Sequence, residues 1–475
     1  MRRSTRAIRW ETDLRILLIA YDNDSHIHWF PIGLGYLASA LRDAGHQVEI
    51  YSQDQYHWPE EHLTNFLDEN DFDMVGVGVC GGYYQYRKLL AISSAIRATR
   101  RWSFYVLGGH GPSPEPEFFL RKTRADAVVI GEGEETIVEL ANAVENGGHL
   151  DKIKGLAYWK MGAVKVGEPR PQIEDVDSLP YPAWNLFPMD YYALLRVVGA
   201  ENGDRVFPVL SSRGCPYRCN FCYRLHKGFR LRSVNAIMDE ISHLREKYHA
   251  TFIVFADELL MSSCSRAIEI AEALRQGHPG LKWSCNGRLN FATPKVLAAM
   301  KEAGCVEINY GVECFDDRVL AKMNKRLTTA QIVEGVTATW AAGIIPTLNF
   351  IFGSIGETAA TLRKSVDFLL TYDGAATLRT IRPVTPYPGS DLYYYAIKRG
   401  LLKGPEDFYE RAHVNSDLRS VNFTDLSDAE YDKALLEANK LLIEEHFRRV
   451  KARCKKDLVK LYDDRNGSFR GFRQT

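Results

Sequence analysis

Short apolar runs alternate with helix-like stretches in the first third of the chain, and this alternation restricts the possible fold more than any other feature. Runs such as RILLIA lack alternating polar positions, which is typical of strands buried on both faces. Because helices separate these runs, the pattern predicts a doubly wound parallel sheet. The predicted strands are 15–20, 47–51, 74–79, 104–107 and 127–130, and the predicted helices include 31–44 and 86–99.

Glycine-rich turns follow three of these predicted strands. They contain Gly81 and Gly82, then Gly108 and Gly109 before His110, then Gly131, Glu132 and Gly133. In doubly wound sheets, ligands bind at the carboxyl ends of the strands, and glycine lets the backbone approach a flat ligand closely. A structural turn explains any one of these glycine pairs, so it is their recurrence in order that indicates a binding edge.

The next segment, 148–204, has a different character. A predicted hairpin over 153–166 is followed by Pro169, Pro171, Pro180, Pro182 and Pro188. The spacing of prolines in LPYPAWNLFP is incompatible with a regular helix or sheet. We interpret 148–204 as a linker between a first domain at 14–147 and a second at 205–400.

A second strand–helix series begins at residue 205. Six such units predict a partial or open (β/α)6 barrel, and the pattern over 401–475 is mostly helical. The predicted strands are 206–211, 251–255, 283–286, 306–312, 347–351 and 378–384, with helices such as 234–248 and 294–303 between them.

A long helix is predicted over 429–460. Ser427 and Glu430 form a capping-box pattern at its start. Its last part is basic, with Arg448, Arg449, Lys451, Arg453, Lys455 and Lys456. These charges suit a solvated face near a helix C-terminus, and the alternative is a docking patch for an electron donor.

Charge and hydropathy argue against several classes of protein. The 475 residues include 60 basic and 60 acidic side chains, a balance that gives no reason to expect nucleic acid or a membrane surface as a partner. No apolar run approaches the roughly 18 residues of a membrane span. The charged N-terminus has no apolar stretch behind it, as a secretory signal would have. The expected compartment is the cytoplasm.

Three of the nine cysteines are clustered, at Cys215, Cys219 and Cys222. The odd number argues against a disulfide framework, and the six scattered cysteines are most simply buried, inert thiols. The C-x3-C-x2-C spacing places three thiolates in one loop after the first strand of the second series. Each thiolate can bind one iron of an iron–sulfur cluster and leave a fourth iron open. The alternative is a zinc site with His226 as the fourth ligand.

This loop, with Phe221 before its last cysteine, resembles that of the radical S-adenosylmethionine (SAM) superfamily. Four further motifs follow in order at predicted strand ends: FADE at 255–258, GRLN at 287–290, YGVEC at 310–314, and NFIFGSIGET at 349–358, in which Ile355 replaces the family's usual proline. The resemblance implies a [4Fe–4S] cluster on the three cysteines, with SAM bound to the open iron. The implied SAM contacts are Phe221, Asp257, Glu258, Arg288, Asn290, Glu313 and Gly353.

The first domain resembles the cobalamin-binding domain that precedes the barrel in one group of radical SAM proteins. The resemblance rests on PIGLGYL at 31–37, the glycine turns, LPYPAW at 179–184 and PYPGS at 386–390, and it covers roughly residues 14–400. It implies an α/β protein with a Rossmann-like cobalamin domain, a partial radical SAM barrel and a C-terminal helical region. The implied cobalamin contacts are Pro31, Gly33, Gly81, Gly82, Gly108, Gly109, His110, Gly131, Glu132 and Gly133.

The D-x-H-x-x-G loop that supplies a histidine to cobalt is only half present, as DSHIHW at 24–29. Many members of this group lack the histidine ligand. We therefore interpret His26 as part of a polar loop near the corrin and expect His110 to contact the cofactor or its tail.

The resemblance implies a methyltransferase that acts on an unactivated carbon of a small molecule, such as a natural product or tetrapyrrole, through a 5′-deoxyadenosyl radical and methylcobalamin. It also implies a reductase such as flavodoxin or ferredoxin as electron donor. The group includes oxidative cyclases and ring-contracting enzymes, which the sequence does not separate from methyltransferases. A two-cluster methylthiotransferase would need three more cysteines in the first domain, which has only Cys80. The intact cysteine triplet disfavours a non-catalytic corrinoid-binding protein.

Several tyrosines of the last third are candidates for substrate specificity: Tyr387, Tyr393, Tyr394, Tyr395 and Tyr409. For most of them we favour a packing role between the C-terminal helices and the barrel.

Overall fold

The computed structural model of the protein describes residues 13–22, 24, 29–225, 228–374, 378–463 and 465. His26 and His226 lie outside the described residues. Within those ranges, no helix combines the length and apolar composition that a bilayer crossing requires.

The first domain is built on a seven-stranded sheet with the order β2-β1-β3-β4-β5-β6-β7. The strands are β1 Arg15–Ala20, β2 Gln47–Ser52, β3 Met74–Gly78, β4 Phe104–Gly108, β5 Ala127–Val129, β6 Leu156–Lys160 and β7 Ala163–Val166. The helices are α1 Ile32–Asp43, α2 Gln53–Tyr56, α3 Glu60–Glu69, α4 Tyr83–Ala98, α5 Pro116–Thr123 and α6 Glu134–Asn146. Strands β1 to β5 are parallel, which confirms the doubly wound sheet.

The predicted hairpin is present as β6 and β7, and it extends the first sheet. Strand β6 pairs antiparallel with β5, for example Val128 with Ala157. The hairpin therefore covers the β5 edge of the sheet. The domain limits 14–147, 148–204, 205–400 and 401–475 stay predictions.

The proline-rich segment after the hairpin connects the two sheets through its aromatic side chains. Trp184 is buried and stacks on Phe30 of the first domain, with ring centroids 4.3 Å apart. On its other side it meets Phe207 of the second sheet at 6.2 Å. A short helix, α7 Met189–Tyr192, follows. The linker is thus a packed wedge between the domains.

The second sheet is an open half-barrel of six parallel strands, which confirms the partial barrel. Its strands are β8 Val206–Val209, β11 Phe252–Phe255, β12 Lys282–Gly287, β13 Cys305–Glu313, β14 Ile345–Phe352 and β15 Arg382–Pro383, and between β8 and β11 lies the antiparallel hairpin β9 Ser212–Gly214 and β10 Phe229–Leu231. The helices are α8 Val234–Tyr248, α9 Cys264–Gly277, α10 Pro294–Glu302, α11 Asp317–Lys322, α12 Thr329–Ala341 and α13 Ala359–Tyr372.

Two predicted barrel strands are shorter than expected. The strand predicted over 206–211 ends at Val209, because the Ser211 N–H donates to the Asp257 carboxylate at 2.8 Å rather than to a neighbouring strand. The strand predicted over 378–384 is reduced to Arg382–Pro383. Before it, the N–H and carbonyl of Ile381 bond to the Asn439 side chain rather than to a neighbouring strand, and Pro383 has no N–H for a ladder.

The C-terminal region packs on both domains. Its helices are α14 Asp391–Lys398, α15 Pro405–Asp407, a π-helical turn at Phe408–Ala412, and α16 Asp428–Tyr462, whose predicted capping box is confirmed. Tyr409 lies against Tyr86 and Phe118 of the first domain, with centroids 5.0 and 5.7 Å apart. Tyr409 and Tyr393 therefore pack as expected of C-terminal tyrosines, but on the first domain rather than on the barrel.

One prediction concerns the turn before β13. Gly304 has φ +92°, and a Cβ there would overlap the Leu281 carbonyl oxygen. We expect Gly304→Ala to lower the free energy of unfolding by at least ~1–2 kcal/mol, because alanine is strained at positive φ. Urea unfolding followed by circular dichroism measures this.

Gly277, at the end of α9, is the matched control. It has an ordinary φ, and a Cβ there would meet no atom within 4 Å. Gly277→Ala should leave the stability unchanged or raise it by up to ~1 kcal/mol. Equal losses for both variants would contradict the described turn.

Candidate active site

The carboxyl ends of the two parallel sheets face each other at the cysteine loop. Tyr223, directly after Cys222, meets the ring of His110 edge-on at 6.0 Å and is hydrogen-bonded to Ser113. A Cβ on Gly389 would overlap the Tyr223 ring and lie 2.9 Å from Pro114. The loops after β4, β9 and β15 thus converge at one place.

Buried ion pairs join the hairpin that carries the cysteine loop to the first domain. Arg213 of β9 binds Glu132 at 3.0 Å and Glu134 at 2.5 Å. Arg230 of β10 binds both oxygens of Glu132 at 2.9 Å. Glu132 also accepts a hydrogen bond from the Ile173 N–H at 2.9 Å. The Glu132 carboxylate therefore holds the hairpin, and its predicted contact with cobalamin stays a prediction.

The cysteine loop is clamped to the turn after α11. The Asn220 N–H donates to the Met323 carbonyl at 3.1 Å, and its side-chain amide donates to the Lys322 carbonyl at 3.0 Å. The Asn324 amide donates to the Arg218 carbonyl at 2.7 Å. These bonds fix the loop at Arg218, between Cys215 and Cys219, and at Asn220, between Cys219 and Cys222.

The three clustered thiols lie close to one another, and positive charge lies beside them. Cys219 and Cys222 are hydrogen-bonded through their side chains. This bond, together with the nearby charges of Lys325 and Arg288, lowers the pKa of Cys219. The thiolate is the form that binds iron. The surroundings favour it at Cys219, whereas the bond to Cys219 raises the pKa of Cys222 and burial raises the pKa of Cys215.

The donor set fits a cluster better than a single ion. Among the residues that the structure describes, no three His, Cys, Asp or Glu side chains converge as one metal ion would need. A cubane cluster does not need such convergence, because each thiolate binds a different iron. All nine cysteines are free thiols. The three clustered thiols as cluster ligands stay a prediction.

Four of the predicted SAM contacts lie in this loop or beside it. Burial has the largest effect on the Cys215 thiol and raises its pKa. The nearby charge of Glu258 also raises this pKa, and the charge of Arg288 lowers it. Asn290 accepts a hydrogen bond from Arg288 at 3.2 Å. The Phe221 ring centroid is 5.9 Å from the Lys325 ammonium.

Glu313 completes this group at the end of β13. It has φ +70° and binds the Lys325 ammonium at 2.8 Å in a buried pair. A Cβ on Gly311 would overlap the Glu313 carboxylate and lie 2.9 Å from that ammonium, so a side chain there would displace the pair. The strained φ of Glu313 fixes its carboxylate beside the cysteine loop.

Asp257 lies below the loop, at the end of β11. Its Oδ1 accepts hydrogen bonds from the Ser211 N–H at 2.8 Å and the Ser212 hydroxyl at 2.7 Å. Its buried Oδ2 has no hydrogen-bond partner among the described residues, and burial raises its pKa to about 6. An orphaned buried oxygen is the kind of group that a bound ligand satisfies.

A row of amides continues from Asp257 across the concave face of the half-barrel. Asn286 donates to the Asp257 carbonyl at 2.7 Å, Asn309 donates to Asn286 at 2.8 Å, and Asn349 donates to Asn309 at 2.8 Å. The three amides come from three adjacent strands. Sequence reasoning identified none of them as a group, because only the strand register brings them together.

Gly353 lies away from this group, at the end of β14. It has φ +100°, and a Cβ there would overlap Tyr431 of α16. The N–H groups of Gly353 and Ser354 both donate to Glu357, at 2.7 and 2.9 Å. Glycine is therefore required here because α16 packs close to the backbone. The predicted contact of Gly353 with SAM stays a prediction.

The predicted cobalamin contacts lie along the carboxyl edge of the first sheet. Gly109 has φ +99°, and a Cβ there would lie 2.6 Å from the Val79 carbonyl oxygen. Gly33 and Gly131 face open space, and Gly81 approaches Tyr387. The others on this edge are Pro31 before α1, Gly82 before α4, Gly108 at the end of β4, exposed His110, and Gly133 beside Leu37. Such a backbone-rich edge, open at two glycines, fits a large flat cofactor.

Sequence reasoning missed Arg213, Arg230 and Lys325, which shape the site; it named Arg288 but not its stacking partner Tyr217. Arg213 and Arg230 hold the hairpin, Lys325 pairs with Glu313, and the Arg288 guanidinium stacks 3.5 Å above the Tyr217 ring. Arg213 and Tyr217 lie within or next to the cysteine motif and could have been noticed. Lys325 has no local signal, since it reaches the site only through the fold.

Comparison with known protein families gives two domain matches. Residues 21–141 match the B12 binding domain, and residues 209–369 match the radical SAM superfamily.

Curated relatives and solved structures extend this likeness. The chain is 33% identical to an uncharacterized methyltransferase of Pyrococcus horikoshii, over 78% of this chain and 79% of the relative. It is 27% identical to an anaerobic magnesium-protoporphyrin IX monomethyl ester cyclase of Rubrivivax gelatinosus, over 77% of this chain and 66% of the cyclase. The structure of OxsB, a cobalamin-dependent SAM radical enzyme with aqua-cobalamin and SAM bound, has the same fold. The two align with a TM-score of 0.72 at 19% identity, over 94% of this chain and 73% of OxsB.

The buried ion pairs give a first prediction for the site. We expect Arg213→Met to lower the free energy of unfolding by about 3–5 kcal/mol, because the buried Glu134 carboxylate loses its arginine partner and Glu132 retains only Arg230. Arg218 is exposed in the same loop, so Arg218→Met should change stability by less than ~0.5 kcal/mol. Urea unfolding of both variants decides the point, and similar values would contradict the described network.

The cysteine triplet gives a second prediction. After anaerobic reconstitution, the protein should hold about four irons per chain. Alanine at Cys215, Cys219 or Cys222 should abolish stable cluster binding, whereas Cys454→Ala, at an exposed thiol of α16, should retain it. Iron and sulfide analysis measures the difference. Zinc in place of iron would support the alternative site.

Proposed function

The chain belongs to the cobalamin-binding radical SAM family, and from this premise we propose that it is a methyltransferase acting on an unactivated carbon of a small molecule. The first domain, with its B12-binding match, supplies the cobalamin site, and the half-barrel supplies the [4Fe–4S] cluster and SAM site. Similarity to a protein named as a methyltransferase supports this activity.

One observation carries the proposal: the carboxyl edges of the two sheets face each other across the Tyr223–His110 contact. In parallel α/β sheets these edges bind ligands. A cofactor on the first edge and one on the second would share a single reaction space between them. Transfer of a group from one cofactor to a radical generated beside the other requires this arrangement.

When bound, the cluster and SAM supply a 5′-deoxyadenosyl radical, and cobalamin supplies a methyl group. The chain's own residues hold and shield these groups. We propose that Cys215, Cys219 and Cys222 hold three irons, while Lys325 and Arg288 offset the charge of the thiolates. Glu313 and Asp257 would bind the polar part of SAM.

The glycine edge of the first sheet would hold the corrin. Gly33 and Gly131 leave the backbone accessible, and exposed His110 lies at the boundary between the two edges. The buried ion pairs of Arg213 would then set the distance between the cobalamin domain and the cysteine loop.

A second candidate is an oxidative cyclase without methyl transfer. Similarity to the magnesium-protoporphyrin cyclase favours it. The support is weaker, because the identity is lower and the chain spans a smaller share of that relative.

We also propose a small protein such as flavodoxin or ferredoxin as the electron donor, and the cytoplasm as the compartment. An iron–sulfur cluster of this kind must be reduced by one electron from outside the chain. All nine cysteines are free thiols, as expected in a reducing compartment.

Methyl-labelled SAM tests the function. Reduced, reconstituted protein with cobalamin should form 5′-deoxyadenosine and transfer the labelled methyl group to a carbon of an accepted substrate. Mass spectrometry would follow this over a panel of tetrapyrroles and natural-product precursors. Cys219→Ala should form no 5′-deoxyadenosine but retain the absorption spectrum of bound cobalamin. Substrate consumption without label would favour the cyclase.

A further inference from the structure

The distal part of α16 extends beyond the barrel. The helix starts at the carboxyl edge of the barrel, where Tyr431 donates to the Phe352 carbonyl at 2.7 Å. It runs toward the opposite end, where Arg449 donates to the carbonyls of Leu370 and Asp373 at the end of α13. Residues 451–456 and 458–460 are exposed. The 13 residues of α16 that follow Arg449, or roughly 20 Å of helix, therefore project past the barrel.

This part of the helix has an apolar face that the barrel does not cover. We call it the distal stripe, and its members recur every three or four residues: Ile443, Phe447, Val450, Cys454, Leu458 and Leu461. The residues that bury α16 against the barrel end at Leu442. Phe447 is rotated about 140° around the axis from Leu442 at 100° per residue. Phe447 and Leu458 are 57% and 43% exposed.

Positive charge surrounds the distal stripe. Residues 443–462 include seven basic side chains and three acidic ones, Glu444, Glu445 and Asp457. Glu445 pairs with Arg448 and Arg449. At 100° per residue Lys451 lies on one margin of the stripe, and Arg453 lies on the other side, beyond Asp457. The whole chain has 60 basic and 60 acidic residues, and from that balance no membrane partner is expected. The balance conceals this local excess of positive charge.

The position of the helix argues against the docking of an electron donor. From Tyr431 to Arg449 the helix covers about 27 Å, away from the end of the barrel that carries the cysteine loop. Electron transfer weakens steeply with distance, so a donor bound to the distal stripe would be badly placed. Pairing with a second copy of the same helix would bring like charges together.

We propose that residues 443–462 bind an anionic lipid surface and hold the protein at the face of a membrane. A helix with a narrow apolar stripe and lysine and arginine on the remaining surface lies in the plane of the bilayer interface. Phe447 and Leu458 enter the boundary of the acyl chains, and the basic side chains extend to the lipid phosphates. Nucleic acid would satisfy the charges but leave the distal stripe exposed.

Vesicle flotation with the full-length reconstituted protein tests this surface. The protein should float with vesicles of phosphatidylcholine and phosphatidylglycerol, and much less with phosphatidylcholine alone. The bound fraction should fall as salt rises, because the lysines act through screened charges. The double variant F447D/L458D should weaken binding at least tenfold.

Val459→Asp is the matched control. Val459 is 53% exposed on the same helix but lies about 100° around the axis from Leu458, outside the distal stripe. It adds one negative charge without touching the apolar face, so binding should weaken less than threefold. All variants should keep their helix content by circular dichroism and their cobalamin affinity, which separates this proposal from the catalytic one.

Three results would overturn the proposal: absence of flotation with anionic vesicles, equal loss in V459D and F447D/L458D, or equal binding to both vesicle types. Binding to poly-L-glutamate in place of vesicles would assign the surface to an acidic protein instead.

Discussion

The buried ion pairs of Arg213 with Glu132 and Glu134 are the constraint on which the rest of the site depends. A buried charge is tolerated only when it is paired and hydrogen-bonded. Glu134 therefore requires Arg213 in this one place, and Glu132 is shared between Arg213 and Arg230. The arginine comes two residues before Cys215. These ion pairs therefore fix the position of the cysteine loop relative to the cobalamin domain.

Around this anchor, the parallel topology gathers groups that are far apart in the chain. Strand ends carry Asp257, Arg288 and Glu313 to one edge because all strands of the half-barrel run in the same direction. Lys325 arrives from the turn after α11 and pairs with Glu313. The result is a loop of thiols with basic groups beside it, and a row of amides on the concave face below.

The C-terminal region completes the molecule by packing on both domains. Tyr393 and Tyr409 join the core of the first domain, while α16 lies on α13 and reaches Gly353 through Tyr431. One chain segment therefore restrains the two halves of the site from outside. The same helix then leaves the barrel, where its apolar residues change to a different face.

The sequence by itself determined the two parallel sheets, the half-barrel, the cysteine loop and the capped final helix, because each is specified by local periodicity or spacing. It did not determine the pairing of Arg213 with Glu132, the part of Lys325, or the amide row of Asn286, Asn309 and Asn349. It also led to wrong lengths for the strands near Ser211 and Pro383. These features depend on strand register and on contacts between segments far apart in the chain. Local patterns do not encode such contacts, so only the tertiary structure decided which charges meet.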